Sequence, residues 1–174
     1  MVSRFLGALM VSGLIPSLSA CWSSDEPLIF QAGSVQPVEA GAYRFHAHGE
    51  DPVDVELQVI PGGGYVYHSD DEVMSLFVHE AAKGWYAVQF AGEGSSLLFA
   101  VAHVSERRVD FYDPPCDEEL GAIEGIEQDG NDCLITSSDG LMDATRIIAG
   151  RIDRGAEVEL NSWAEPAWPQ YKPD

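Results

Sequence analysis

His46 and His48 are the residues whose types and spacing come closest to a metal site. In a β-strand, residues i and i+2 lie on one face, so both imidazoles would point the same way. A hydrolytic zinc site needs at least one further protein ligand. Four residues are candidates for that role: His68, Asp70, Asp71 and His79. The same alternation turns His46 and His48 away from Tyr43 and Phe45 and toward solvent, so we interpret the pair as surface histidines rather than ligands.

Three short acidic segments, residues 69–72, 117–119 and 129–132, have residue types that bind cations or transfer protons. Paired carboxylates act as acid and base only in a cleft that shifts their pKa values apart. The Asp-Gly-Asn-Asp run at 129–132 lacks the twelve-residue spacing and the closing Glu of an EF-hand loop. We therefore interpret all three segments as solvated turns.

Two further motifs are incomplete. The glycines at 62–64 are followed by neither the lysine nor the helix of a phosphate-binding loop, and no serine lies in a G-x-S-x-G nucleophile elbow. Because no catalytic motif is complete, we predict that the protein is not an enzyme and needs no cofactor.

Apolar and polar residues alternate with a period of two through much of residues 43–112, as in half-buried strands. Strands are predicted at 43–48, 53–59, 65–68, 73–80, 85–90, 97–104 and 109–112. Short strands at this spacing predict a mainly β fold, an antiparallel meander that forms a sandwich or a small barrel. Residues 97–104 are apolar on nearly both faces and form the predicted central strand.

Aromatic side chains on these strands are predicted to fill the core, or to line an apolar pocket if the sheet closes into a barrel. They are Trp85, Tyr86, Phe99, Phe111 and Tyr112.

The C-terminal part is predicted to place one helix on this sheet. Ser138 is the expected N-cap and Gly150 the expected end of a helix over residues 139–149, whose apolar residues fall on one face. The other predicted elements are an edge strand at 28–30, a helical turn at 117–123, a strand at 133–136 and a last strand at 156–160.

Composition indicates a single acidic domain. The 174 residues carry 29 Asp and Glu against 9 Lys and Arg, a formal net charge of −20 at pH 7. Such a field repels nucleic acid and anionic head groups, so neither is an expected partner of the domain. Cationic partners, divalent ions or simple solubility are compatible with it, and we interpret the charge as a solvated acidic surface.

The first twenty residues have the layout of an export signal, with Arg4 before an apolar stretch at 5–15. The following Leu18-Ser19-Ala20-Cys21 resembles the lipobox of bacterial lipoproteins. This resemblance implies that Cys21 is acylated and becomes the mature N-terminus. It divides the chain into a signal peptide (1–20), a tether (21–41) and one β-rich domain (42–174). The alternative is cleavage after Ser19, which would release an unlipidated protein.

The same resemblance assigns the other cysteines. With Cys21 acylated, Cys116 and Cys133 remain to form a disulfide in an oxidising compartment. The alternative is two separate buried thiols. Among lipoproteins, Asp after the acylated Cys favours inner-membrane retention, and Trp22 stands there instead. The resemblance therefore implies a lipid-anchored protein of the cell envelope, at the outer membrane and facing the periplasm.

Three functions are compatible with these observations. The first is an anchored binding or scaffolding module whose partners are the membrane, through its lipid, and an envelope protein. The second is a metal-assisted hydrolase that uses His46 and His48. The third is a carrier of a small apolar ligand.

Overall fold

The computed structural model describes residues 22–69, 72–92, 97–113 and 116–167. Within these residues, eleven strands, two α-helices and one 3-10 turn at Gln31–Gly33 follow one another. In chain order they are β1 (Trp22–Ser24), β2 (Gly41–Ala47), β3 (Val53–Val59), β4 (Tyr65–His68), β5 (Val73–Ala82), β6 (Trp85–Ala91), β7 (Leu97–Val104), β8 (Val109–Tyr112), α1 (Glu118–Gly121), β9 (Ile126–Asp129), β10 (Asp132–Ile135), α2 (Ser138–Asp153) and β11 (Leu160–Pro166).

Eight strands close into an antiparallel barrel. Strands β2 to β8 form a meander in which each strand pairs with the next. Strand β11 then inserts between β8 and β2, so that Trp163 stands opposite both Asp110 and His46. The predicted mainly β fold is confirmed, and closure by β11 makes it a barrel.

Three short strands extend the sheet beyond the barrel. Strand β1 pairs antiparallel with the start of β7 and parallel with β10, and β10 forms a hairpin with β9. The hairpin turns at Gly130, whose φ of +64° is one that residues with a side chain rarely adopt.

Two apolar cores lie on opposite sides of the barrel wall. Inward-facing residues such as Tyr65, Val78 and Val88 form the inner core. Outward-facing Ala87 and Phe99 belong to the outer core, together with the apolar face of α2. Strand β7 is shared by both cores, which explains why residues 97–104 are apolar on both faces and confirms their central position.

Helix α2 is longer than predicted and begins one residue earlier. Its N-cap is Ser137, whose Oγ accepts a hydrogen bond from the backbone N–H of Gly140. The helix continues past Gly150 because Ile152 still packs on the outer core and Arg151 still pairs with Asp117. No helix in the described part of the chain is long and apolar enough to span a membrane.

The segment before β2 was predicted to be a tether, yet from Trp22 onward it packs against the barrel. Trp22 and Ile29 are 1% and 3% exposed. Residues 28–30 do not form the predicted edge strand. Their backbone N–H and carbonyl groups form hydrogen bonds with the side chain of Gln89 instead of with a neighbouring strand. The Oε1 of Gln89 accepts from the N–H groups of Leu28 and Ile29, and its Nε2 donates to the carbonyl of Ile29.

The last strand also differs from the prediction. It runs over Leu160–Pro166 instead of 156–160. Its inward residues are the small Ser162 and Ala164, so it carries little of the apolar alternation by which a strand is recognised.

Candidate ligand cavity inside the barrel

The inner core contains an apolar cavity of about 100 Å³. Every strand of the barrel contributes to its wall, because alternate residues of each strand face inward. Aromatic side chains, among them Tyr67, Phe90 and Phe111, form much of the wall, and its small residues are Ala102, Ser162 and Ala164. Among the described residues that line the cavity none is charged.

One end of the barrel is covered by the chain that leads into β2. Val35 donates its N–H to the carbonyl of Val78, and Val38 exchanges hydrogen bonds with the Tyr65 hydroxyl, 3.0 Å to the backbone nitrogen and 2.8 Å to the carbonyl oxygen. The Gln36 amide donates to the carbonyl of Gly64. Pro37 and Val38 thereby close the wall of the cavity at this end.

The glycine run at 62–64 makes that closure possible. Gly63 has a φ of +130°, and a Cβ there would lie 2.2 Å from the carbonyl oxygen of Gln31. The segment that covers the barrel can approach the β3–β4 turn this closely only over glycine. The sequence alone indicates no function for these glycines, since they do not form a phosphate-binding loop. In the structure they allow the segment that covers the barrel to pack against the β3–β4 turn.

The inner core is not filled by its own side chains. Tyr65, Val78 and Ala102 are almost completely buried, whereas Met74 and Phe90 of the same wall are only half-buried. Protein interiors are normally packed to the density of organic crystals. A small molecule can therefore be held in the remaining space.

The tyrosines of the wall stay neutral. Burial raises the pKa of Tyr65 to about 12, against the partial opposing effect of its hydrogen bond to Val38. Burial also raises the pKa of Tyr67 and of Tyr86 above the ordinary value. The wall therefore presents no negative charge near neutral pH, although the protein as a whole is strongly acidic.

Ser162 is the exception in this apolar wall. Its side chain is buried, and its Oγ has no hydrogen-bond partner among the described residues. Sequence reasoning missed this residue, because a single serine between Asn161 and Trp163 carries no signal that it faces an interior.

The structure places the two histidines outside the barrel. The ring of His46 stacks on Trp163, with ring centroids 4.7 Å apart and an interplanar angle of 6°. Its Nε2 lies 3.2 Å from Glu165 Oε1, and the guanidinium of Arg108 lies over the same indole. His48 follows β2 and donates its backbone N–H to Asn161.

None of the predicted completing ligands joins these histidines within the described residues. His68 and His79 lie on β4 and β5, and Asp70 and Asp71 fall outside the residues that the structure describes. Across the described ranges no group of three or more His, Cys, Asp or Glu side chains is arranged to hold a metal ion.

Two of the acidic segments have structural roles. Asp117 is the N-cap of α1 and accepts from the N–H of Leu120. A hydrogen bond from Arg151 is the main cause that lowers the pKa of Asp117 below its ordinary value. Residues 129–132 form the turn of the β9–β10 hairpin.

The cysteines of the domain lie together in the outer core. The sulfur atoms of Cys116 and Cys133 are at disulfide-bonding distance, with Cα atoms 5.3 Å apart, so the predicted pairing is confirmed. Cys21 lies outside the described residues.

No protein-family model, curated protein or solved structure matched this chain. The barrel and its cavity are the features of the described residues from which a function can be inferred.

Proposed function

We propose that this protein is a lipid-anchored binding protein of the bacterial cell envelope that holds a small apolar molecule inside its barrel. The observation that carries the proposal is the cavity of about 100 Å³ in an uncharged wall of aromatic and aliphatic side chains. An apolar molecule is favoured over water in such a space, since water there lacks the two to four polar partners that it needs.

The anchor is the second part of the proposal and is supported by sequence. Leu18-Ser19-Ala20-Cys21 has the residues of a lipobox, and Trp22 after the cysteine favours the outer membrane, with the barrel facing the periplasm. Two or more acyl chains suffice for stable membrane anchoring. The domain therefore needs no membrane-binding face of its own.

Binding is favoured over catalysis and over a purely scaffolding role. The His46 ring contacts a tryptophan and a glutamate, and an arginine lies over the same tryptophan, so no further metal ligands surround the imidazole among the described residues. A scaffold has no need of an unfilled interior, because filling it with side chains would stabilise the fold.

The experiment is organic-solvent extraction of the protein purified from native membranes, with mass spectrometry of the extract. We expect an apolar molecule in a fixed ratio to protein. Ala102→Leu adds three carbon atoms to the cavity wall and should abolish that molecule. Ala42→Leu makes the same change on the outward face of β2 and should retain it.

Extracts that are identical for both variants would show that the molecule binds elsewhere. Metal analysis of the same preparation, purified without chelator, tests the hydrolase. A stoichiometric metal ion would favour that function over the one proposed.

A further inference from the structure

We propose that the cavity holds an unbranched hydrocarbon chain, whether a free hydrocarbon or the end of an acyl chain, and disfavours branched, cyclic and polar compounds. This inference rests on the proposed function, because it names the chemical class of the molecule bound in the same cavity. Three properties of the cavity carry it: its almost entirely apolar surface, its length, and its narrow cross-section.

The polar groups of the wall are not available to a bound molecule. The Tyr65 hydroxyl donates to the carbonyl of Val38 and accepts from its N–H, and the Tyr43 hydroxyl donates to the carbonyl of Glu39. The Oγ of Ser162 is buried and has no surface that a bound molecule could reach. A polar atom inside the cavity would therefore lose its hydrogen bonds to water without replacement, which disfavours its binding.

The cavity is long relative to its volume. Its wall includes three successive inward residues of β5, which are Met74, Leu76 and Val78. Val78 lies at the covered end, where its N–H donates to Ser34 Oγ, so Met74 lies four residues farther from the cover. With a rise of about 3.3 Å per residue and a strand tilt of about 35–45°, these four residues span about 10 Å along the barrel axis. A compact cavity of about 100 Å³ would extend little more than half as far.

Aromatic rings make the cross-section narrow. The ring centroid of Phe111 on β8 lies 6.1 Å from that of Phe45 on β2 and 6.3 Å from that of Phe90 on β6. Strands β2 and β6 are on opposite sides of the barrel, four strands apart in either direction. The three rings therefore reach across the interior from wall to wall. An extended methylene chain is narrower than a ring or a quaternary carbon, so it is the hydrocarbon shape that fits best beside them.

The test compares three probes of nearly equal size. They are n-hexane, its branched isomer neohexane, and ethyl propyl ether, in which an oxygen replaces one CH₂ group of n-hexane. An extended six-carbon chain has about the length of the cavity. Each probe is titrated into the full chain carrying Cys21→Ala, which removes the proposed acylation site and with it any acyl chain of the protein's own.

NMR of ¹³C-labelled methionine methyl groups reports binding with an internal control. Met74 lines the cavity, whereas Met142 lies in the outer core. Both signals are assigned with Met→Leu variants. We expect n-hexane to shift the Met74 signal and to leave Met142 unchanged.

The other two probes should bind more weakly. Neohexane should lose at least about fivefold in affinity, because overfilling a packed interior is unfavourable. The ether should also lose at least about fivefold, because its oxygen finds no hydrogen-bond partner in the cavity.

Two variants locate the binding of n-hexane. Ala102→Leu adds bulk to the cavity wall and should abolish the Met74 shift. Ala42→Leu, on the outward face of β2, should retain it. An unchanged Met142 signal shows that each variant is folded, so a lost shift is not due to unfolding.

The outcomes separate this inference from the proposed function. If none of the probes shifts Met74, or if Ala102→Leu still binds n-hexane like the wild type, the cavity is not the site and the proposed function is wrong. If neohexane or the ether binds as tightly as n-hexane, the cavity is a site but does not select an unbranched hydrocarbon.

The molecule extracted from native membranes gives a second readout. Straight-chain acyl lipids and free straight-chain hydrocarbons both support the inference, and their masses distinguish the two sources. A ring compound or a branched one in a fixed ratio to protein would contradict the inference while leaving the proposed function intact.

Discussion

Ser162 destabilises the folded protein, because its hydroxyl is buried without a hydrogen-bond partner among the described residues. Its hydroxyl loses water on folding, and no described group replaces that water. Burying a polar group in this way costs about 1–3 kcal/mol on the scale of protein mutations.

We therefore expect Ser162→Ala to stabilise the free protein by about 1 kcal/mol, because alanine removes the unpaired hydroxyl and leaves almost the same volume. Urea unfolding of the free protein measures the change, with Ser75→Ala as the outward-facing control. A loss of stability in Ser162→Ala would mean that the hydroxyl has a partner within the fold.

Because of Tyr65, the stability of the folded protein should depend on pH in the alkaline range. The Tyr65 pKa of about 12 lies above the value of 10.0 for a free tyrosine, so the folded state holds this proton more tightly than the unfolded state. The resulting stability is fully present below pH 10 and is lost as the pH rises toward 12.

We expect the melting temperature of the wild type to fall between pH 10 and pH 12, and to fall less steeply in Tyr65→Phe, which has no proton to lose. Thermal unfolding followed by circular dichroism across this range measures both slopes. Parallel slopes would show that Tyr65 does not hold its proton more tightly in the folded state.

At the scale of single elements, the sequence predicts the meander closely and the segments around it poorly. Strands β3, β4, β7 and β8 have the predicted bounds, because the alternation of their side chains reflects their two environments directly. Residues 22–38 follow no such rule. Their backbone is held by side chains distant in sequence, as Leu28 and Ile29 are by Gln89, and no local pattern contains that information.

We expect Gln89→Leu to destabilise the protein by about 2–4 kcal/mol, because it leaves three backbone groups of Leu28 and Ile29 without partners at a buried site. Gln58→Leu, on the exposed face of β3, is the matched control and should have little effect. Urea unfolding measures the difference, and hydrogen exchange at Leu28 and Ile29 should accelerate only in Gln89→Leu. Equal stabilities would mean that the segment docks without this side chain.

The disulfide between Cys116 and Cys133 links the chain before α1 to strand β10, across a separation of 17 residues. We expect reduction, or Cys116→Ala with Cys133→Ala, to cost about 2–4 kcal/mol. Ligand binding should remain, because the pair lies in the outer core. Melting with and without reductant measures the cost. Two reactive thiols in the denatured, unreduced Cys21→Ala chain would contradict the bond.

For the whole molecule, the sequence leaves sandwich and barrel as alternatives because closure depends on a single late strand. Strand β11 joins β8 and β2 from nearly fifty residues beyond β8 along the chain, and its inward positions hold only a serine and an alanine. The alternation of the other strands is the same in an open and in a closed sheet. The cavity, and with it the candidate site, exists only once the sheet is closed.

Membrane attachment is also a property of the whole molecule. We expect Cys21→Ala to release the protein from membranes, because the acyl chains are proposed to be its only hold there. Fractionation of cells after a carbonate wash measures it, with Cys116→Ala as a control that keeps the acylation site. A Cys21→Ala protein that still sediments would mean that another part of the chain holds it at the membrane.

Strand β1 determines how a pull on the anchor would reach the fold. Its first residue, Trp22, directly follows Cys21 and is already paired with Cys133, while Ser23 is paired with Leu98. A lipid on Cys21 would thus be attached only one peptide bond away from a paired strand. This short connection would restrict rotation of the barrel relative to the bilayer. Because the ladder hydrogen bonds run across the strand, tension along β1 loads them together in shear instead of opening them one by one. The load then passes to β10, whose Cys133 is covalently tied to Cys116.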